Sequence, residues 1–250
     1  MPDVLDVPEE ETSVGTDEPE AEVSSDTPAT ISKPASSPAS NPPPSPALAV
    51  ALTTAPARKR PKPGERRVQI LQTLASMLEQ PGADRITTAA LAAKLAVSEA
   101  ALYRHFASKA QMFEGLIEFI ESSVFTLVNQ ITERETSGAV QAQKMVTVLL
   151  QFGEKNPGMT RVMVGDALVF EHERLSLRMN QFFDRVESQL RSSLRAAAET
   201  AGSPTPTVDA QALASALTSL AIGRLQRYAR SGFKRLPTEH LETALHRLTT

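Results

Sequence analysis

The sequence predicts an all-α fold, and three features of the residue pattern lead to this prediction. Apolar residues recur every three or four positions from about Val68 to the C-terminus, which is the spacing that lines one face of a helix. Breakers such as Pro81-Gly82 and Asn156–Gly158 separate the helical segments. Nowhere does the sequence alternate apolar and polar residues at every second position, as a half-buried strand would require.

The first 57 residues have the composition of a disordered tail. They carry 11 of the 18 prolines and no Phe, Tyr or Trp, so they hold too little apolar surface to offset the entropy of ordering the chain. The tail is rich in Ser and acidic, with ten Asp or Glu against one Lys. No segment of the sequence predicts a membrane span, and the absence of Cys excludes disulfides and thiolate metal sites.

Positive charge is concentrated directly after this tail. Residues 58–112 carry ten Lys or Arg against four Asp or Glu, whereas residues 113–250 carry fifteen of each. Prolines interrupt the run ARKRPKPGERR, which predicts an extended basic arm over residues 58–67. Such a basic module suits a nucleic-acid partner, and on charge alone it is equally compatible with an ordinary solvated surface.

Residues 65–112 are predicted to contain three helices before a long fourth one begins. The first ends at Pro81-Gly82, and its apolar stripe is predicted at Val68, Leu71, Ala75 and Leu78. The second is capped by Thr87 or Thr88 and runs through Ala96. The third is capped by Ser98 and runs through His105 or Phe106, which leaves a connection of only a few residues.

The rest of the chain, residues 113–250, is predicted to form a helical C-terminal domain. Ser108 and Gln111 have the spacing of a capping box, so a long helix is expected to begin there and to continue to Ile131. The helices predicted after it are Ala139–Glu154, a short apolar element Met159–Phe170, Leu175–Thr200, Val208–Arg230 and a last one from about Thr238.

Two short helices joined by a tight turn, after a longer helix, match the helix-turn-helix arrangement of DNA-binding proteins. The second helix of that motif enters the major groove, which is about 12 Å wide, so its leading side chains should be small. Leu102 is predicted to anchor the buried face. The residues expected to face DNA are Thr87, Thr88, Ser98, Ala100 and Ala101 near the bases, and Tyr103, Arg104, His105 and Lys109 near the phosphates. Arg66 and Arg67 belong to the arm, which can follow the phosphate backbone or enter the minor groove.

Catalytic chemistry has little support in the sequence. The four histidines, at 105, 172, 240 and 246, have no metal-ligand spacing, and the chain contains neither a Gly-rich phosphate loop nor a Cys nucleophile. A protein that is not an enzyme and that needs no metal or cofactor is the expectation.

The run ITTAALAAKLAVSEAALYRHFASKAQMF resembles the DNA-binding domain of TetR-family regulators. A typical feature of that family's DNA-binding domain is the pattern Y-x-H-F-x-x-K, which runs here from Tyr103 to Lys109. This resemblance implies that Tyr103, His105 and Lys109 contact phosphates. It also implies a TetR-like architecture, in which the helix-turn-helix domain is followed by an α-helical dimerisation and regulatory domain.

Further runs, FGEKNPGMTRVMVGDALVFE and RSGFKRLPT, are similar to the nucleoid occlusion branch of that family. The similarity implies a cytoplasmic, nucleoid-associated bacterial homodimer, with one or several dimers on one palindromic DNA site. It further implies binding of the C-terminal tail of the division protein FtsZ at Phe119, Val148, Gln151, Lys155 and Asn156. Lys155 and Arg161 would suit an acidic peptide. The alternative is a ligand-responsive TetR-type repressor, which should hold a sizeable pocket inside residues 139–230 rather than a filled core and an external groove.

Overall fold

The computed structural model describes residues 64–80 and 85–249, and this part of the chain contains nine α-helices, one 3-10 helix and no β-strand. The all-α prediction is confirmed. The predicted tail, residues 1–57, and residues 58–63 of the predicted basic arm lie outside the described residues. Among the described helices, none combines the length and the apolarity needed to cross a bilayer.

The N-terminal module consists of α1 (Glu65–Leu78), α2 (Thr88–Lys94) and α3 (Glu99–Tyr103). Helix α1 begins inside the predicted arm, so Arg66 and Arg67 lie in its first turn, and the prediction of an extended backbone is wrong for both. The physical reason is that no proline lies between Pro63 and Pro81. Gly64, with φ at 91°, turns the chain directly into the helix.

The buried face of α1 agrees only in part with the predicted stripe. Leu78 is buried as predicted, and Leu71 and Ala75 are half-buried against the core. Ile70 and Leu74 are buried as well, whereas Val68 is 53% exposed. Apolar residues lie on two adjacent faces of this helix, and the packing of α2, α4 and α6 against it selects the Ile70 face.

Two long helices follow, α4 (Lys109–Arg134) and α5 (Gly138–Lys155). Ser108 caps α4 as predicted, because its Oγ accepts a hydrogen bond from the Gln111 amide at 3.1 Å. The Gln111 side chain accepts in return from the amide of Ala107 at 2.7 Å, one residue before the position that a standard capping box uses.

The predicted element Met159–Phe170 is divided in two, as α6 (Pro157–Met163) and a 3-10 helix (Asp166–Leu168). Gly165 causes the division, because its φ of 85° cannot continue a right-handed helix. Helix α6 lies against α1 at a very close approach. A Cβ at Gly158 would lie 2.1 Å from the carbonyl oxygen of Ala75, so only glycine fits at this contact.

The C-terminal domain is completed by α7 (Glu173–Thr200), α8 (Pro206–Arg230) and α9 (Leu241–Thr249). Helices α7 and α8 pack along each other and against α5. Their facing side chains fill the interior of the domain with buried apolar groups from all three helices, including Met145, Val146, Leu149, Phe182, Val186, Leu190, Ala214, Leu217 and Ala221.

Candidate DNA interface and partner groove

The turn between α2 and α3 is built by local backbone hydrogen bonds and two hydroxyl caps. Ala96 adopts a left-handed conformation with φ at 53°, and the amide of Val97 donates to the carbonyl of Ala92 at 3.0 Å. Thr87 caps α2 by accepting from the amide of Ala90 at 3.1 Å. Ser98 caps α3 by accepting from the amide of Ala101 at 3.3 Å, so both predicted caps are confirmed.

Helix α3 presents the side chains that the helix-turn-helix prediction requires. Leu102 is 1% exposed and anchors the helix to the core. Ala100 and Arg104 are exposed, Tyr103 is 45% exposed, and His105 is half-buried. The outer surface of α3 therefore combines small residues with a phenol and a guanidinium, which can donate hydrogen bonds to phosphate oxygens.

Thr88 and Arg67, two of the predicted DNA-facing residues, make side-chain contacts that join separate parts of the N-terminal module. The hydroxyl of Thr88 donates to Oε2 of Glu99 at 2.6 Å, so it ties the start of α2 to the first turn of α3. Arg67 donates to the carbonyl oxygen of His105, and its guanidinium carbon lies 4.2 Å from the centre of the Phe106 ring. Arg67 thereby satisfies a carbonyl at the C-terminal end of α3 and supports the recognition helix.

Lys109, the lysine of the Y-x-H-F-x-x-K pattern, forms an ion pair with Glu171. The side chain of Glu171 is 10% exposed and that of Lys109 is 24% exposed, so the pair is partly withdrawn from water. The sequence pattern did not reveal this partner, because Glu171 lies 62 residues further along the chain, between the 3-10 helix and α7.

Two further ion pairs join α4 to the first turns of α7. Arg174 approaches Glu114 at 2.8 Å, and Arg178 binds Glu121 through two hydrogen bonds of 3.1 and 2.6 Å. The hydrogen bond to Glu121 raises the pKa of the Arg178 guanidinium, against the opposing effect of its partial burial. Three ion pairs therefore fasten α4, which carries the DNA-binding module, to the segment around the start of α7.

A groove of about 470 Å³ lies between α4, α5 and α9. Its wall residues include Ile131 from α4, Val148 and Gln151 from α5, and Leu241 and Leu245 from α9. The contribution of α9 was not foreseen from the sequence. A neighbouring recess of about 170 Å³ shares residues with this groove and adds Leu127 to the same face.

The predicted FtsZ-binding residues are distributed along this face. Val148 and Gln151 line the groove, while Phe119 is 48% exposed and packs against Phe152, with ring centres 6.3 Å apart. Lys155 is exposed at the end of α5. Asn156 uses its amide to donate to the carbonyl of Phe152 at 2.8 Å, which fixes the end of that helix. Arg161 lies apart from them, 5.6 Å from the ring centre of Phe233.

Comparison with known families agrees with this architecture. The family model described as "Bacterial regulatory proteins, tetR family" matches residues 70–116. The SlmA-like model described as "Tetracyclin repressor-like, C-terminal domain" matches residues 136–250. Fold and site together define a DNA-binding protein of the TetR family.

Relatives narrow this class further. A protein of Idiomarina loihiensis named "Nucleoid occlusion factor SlmA" is 52% identical over 175 residues, which cover 70% of this chain and 89% of the relative. A protein of Vibrio cholerae with the same name is 51% identical over 178 residues, covering 71% of this chain and 90% of the relative. The chain belongs to the SlmA family of nucleoid occlusion factors. This membership favours nucleoid occlusion over the alternative of a ligand-responsive repressor.

Solved structures share the fold at low sequence identity. The transcriptional regulator FadR from Bacillus subtilis, in complex with stearoyl-CoA, aligns with a TM-score of 0.59 and 12% identity, covering 73% of this chain and 97% of that one. A TetR-like regulator from Rhodococcus aligns with a TM-score of 0.57 and 18% identity, covering 73% and 94%.

Proposed function

We propose that this chain acts as a homodimer that binds palindromic double-stranded DNA and, at the bacterial nucleoid in the cytoplasm, antagonises FtsZ assembly by holding the FtsZ C-terminal tail. The activity is binding rather than catalysis. The observation that carries the proposal is the separation of two exposed surfaces, a polar one on α2 and α3 and an apolar one around Phe119 and the α4–α5–α9 groove.

On the DNA side, α3 enters the major groove. Small or hydroxyl side chains approach the bases, and cationic or hydrogen-bonding side chains hold the phosphates. Lys109 and Arg67 reach phosphates only in competition with Glu171 and the His105 carbonyl. The base-facing set is Thr87, Thr88, Ser98, Ala100 and Ala101, and the phosphate-facing set is Tyr103, Arg104, His105, Lys109, Arg66 and Arg67.

Dimerisation is assigned to the outer face of α8. Exposed residues at helical spacing along this face are small, and Val208 at its start is 66% exposed. A Cβ added at Gly223 would meet nothing within 4 Å, so the face is open there. Small residues let a second copy of the helix approach closely around a twofold axis, which matches the symmetry of a palindromic site. The small residues of this face are Ala212, Ser215, Ala216, Ser219 and Gly223.

On the partner side, the apolar surface suits the hydrophobic residues of a peptide, and lysines at its rim suit an acidic one. Phe119 supplies a half-exposed aromatic ring whose far side is already packed on Phe152. Lys144 lines the groove, and Lys155 is exposed at the end of α5. Aromatic anchors of this kind carry much of the binding energy at peptide interfaces.

The proposal is tested by light scattering of FtsZ polymers mixed with this protein, with and without its specific DNA. Phe119→Ala should weaken binding of the FtsZ tail about tenfold, because truncating a central aromatic anchor removes about 1–2 kcal/mol. Lys155→Glu should weaken it as well, by placing like charge beside an acidic peptide. Both variants should keep the dissociation constant for DNA unchanged.

Phe170→Ala is the matched control, since Phe170 is an exposed aromatic that neither lines the groove nor packs with Phe119 and Phe152. This variant should inhibit FtsZ polymers as the unmodified chain does. An equal loss of FtsZ binding in Phe170→Ala and Phe119→Ala would remove the groove from the proposal. Loss of DNA binding in Phe119→Ala would contradict the separation of the two surfaces.

A further inference from the structure

The last turns of α8 and the residues that follow them are strongly basic. Residues 224–238 contain five cationic side chains and no Asp or Glu. Within the described part of the chain, none of the five forms an ion pair with a carboxylate. Their positive charge is therefore not neutralised by ion pairing. The five residues are Arg224, Arg227, Arg230, Lys234 and Arg235.

Three of these cations converge on one concave site. Arg224, Arg227 and Arg235 line a pocket of about 260 Å³, together with Pro237 and His240. Favourable interaction with the C-terminal end of α8 accounts for cations in its last turn, such as Arg227. It does not account for Arg235, which lies beyond the helix and returns to the same pocket.

The pocket wall is held in place by hydrogen bonds. Nη1 of Arg224 donates to the carbonyl oxygens of Pro237 at 3.0 Å and Glu239 at 2.7 Å. Ser231 Oγ accepts from the amide of Arg235 at 2.9 Å, which fixes the backbone from which that guanidinium extends. The wall is thus organised before any ligand arrives, and this lowers the entropy lost on binding.

Two residues between α8 and α9 adopt left-handed backbone conformations, which are uncommon for residues other than glycine. Phe233 has φ at 64° and His240 has φ at 53°. The Phe233 ring packs edge-on against Tyr228 with ring centres 5.2 Å apart, and the Tyr228 hydroxyl donates to the carbonyl of Glu154 at 3.0 Å. Strained backbone of this kind clusters at ligand sites and persists only where the surroundings impose it.

The charge of the pocket defines its ligand class. Three guanidinium groups and the single carboxylate of Glu239 leave a net charge of +2 around the cavity. The planar fork of a guanidinium matches two oxygens of a phosphate group, and a phosphate dianion balances this charge. We propose that this pocket binds a small phosphorylated ligand, with Arg227 and Arg235 on the phosphate and Arg224 fixing the wall.

The site is distinct from the DNA surface and from the α4–α5–α9 groove. It adjoins that groove and the end of the proposed dimerisation face, since Arg227 lies one turn after Gly223 on α8. Thr238, Leu241 and Glu242, which neighbour the pocket residues in the chain, line the α4–α5–α9 groove. Residues 237–240 would therefore separate a ligand in the pocket from the groove. The proposal does not depend on FtsZ as the occupant of that groove.

Isothermal titration calorimetry of the full chain with inorganic pyrophosphate, in a phosphate-free buffer, tests the site. The unmodified chain should bind one pyrophosphate per chain. The double variant Arg227→Gln/Arg235→Gln should bind at least tenfold more weakly, because it loses both charge-assisted contacts. Both side chains are exposed and make no contact that the fold requires, and far-UV circular dichroism checks that the variant is folded.

Arg230→Gln/Lys234→Gln is the matched control, because it removes two cations from the same segment without touching the pocket lining. It should bind pyrophosphate within about twofold of the unmodified chain, since exposed charges that do not line the pocket act on the ligand only through water. Equal weakening in the two double variants would mean diffuse charge rather than a site, and would overturn the proposal. So would tighter binding of citrate than of pyrophosphate.

A DNA titration separates a free phosphorylated ligand from the DNA backbone as the source of phosphate. Arg227→Gln/Arg235→Gln should leave the dissociation constant for specific DNA unchanged. If the chain shows no response to pyrophosphate while this variant loses DNA affinity, the pocket belongs to the DNA interface and the proposal fails.

Discussion

The surface formed by α2 and α3 differs from the groove formed by α4, α5 and α9 in its side-chain composition and in the parts of the chain that build it. The first extends over seventeen positions from Thr87 to Tyr103, and it is made of small, polar and basic side chains held by local caps. The second is apolar and is assembled from distant parts of the chain, as the hydrogen bond of 2.6 Å between Gln143 and Thr249 illustrates. Electrostatics and capping therefore govern the first surface, and packing of long helices governs the second.

The largest effects are expected from truncating one buried leucine beneath each of the two surfaces. Leu102→Ala should destabilise the helix-turn-helix by about 2–5 kcal/mol and abolish DNA binding, because Leu102 is 1% exposed and fastens α3. Leu245→Ala, at a buried position lining the groove, should weaken partner binding and spare DNA binding. Anisotropy with labelled DNA and with a labelled FtsZ tail peptide measures both. A parallel loss of both activities in either variant would show that the surfaces are not independent.

Removing a predicted phosphate contact on the DNA surface should change DNA affinity by a smaller amount. Tyr103→Ala should weaken specific and non-specific DNA binding by about tenfold alike, because a phenol on a phosphate reads no sequence. Arg104→Ala should in addition lower the slope of log affinity against log salt by about 0.9, since one released counterion is lost. Titrations at several salt concentrations on specific and random duplexes test this. Loss of affinity for the specific duplex alone would place Tyr103 at a base.

The smallest effect expected concerns the ion pair between Lys109 and Glu171. Glu171→Gln should raise DNA affinity by about two- to fivefold at low salt. In this variant Lys109 does not have to give up an ion pair with a carboxylate before it contacts a phosphate. The gain should fade at high salt, where screening weakens the pair. Glu173→Gln is the matched control, since it removes the same charge from an exposed position two residues away. Equal gains in both variants would indicate general charge rather than this pair.

What could be predicted from the sequence follows the same division. The caps at Thr87, Ser98 and Ser108 were predictable because each hydroxyl binds an amide three residues ahead, within reach of any local pattern. The partner of Lys109 was not, because Glu171 is brought to it only by the packing of the 3-10 segment and α7 near α4.

Helix faces and the groove wall were harder to predict for a related reason. On α1 two adjacent faces are apolar, and periodicity alone placed Val68 in the stripe instead of Ile70, while Leu78 was predicted correctly. The break at Gly165 was missed because the apolar run continues through it. The wall that α9 adds to the groove depends on where the chain returns after Arg230, which no local signal encodes.

The contact between Gly158 and Ala75 has a mechanical consequence. Since backbone meets backbone there, no side chain is available to rotate and absorb a shift of α1 relative to α6. A shift of α1 relative to α6 at this contact would therefore bring backbone against backbone rather than displace a side chain. The contact between α1 and α6 is therefore rigid, and its close spacing depends on the absence of a side chain at Gly158.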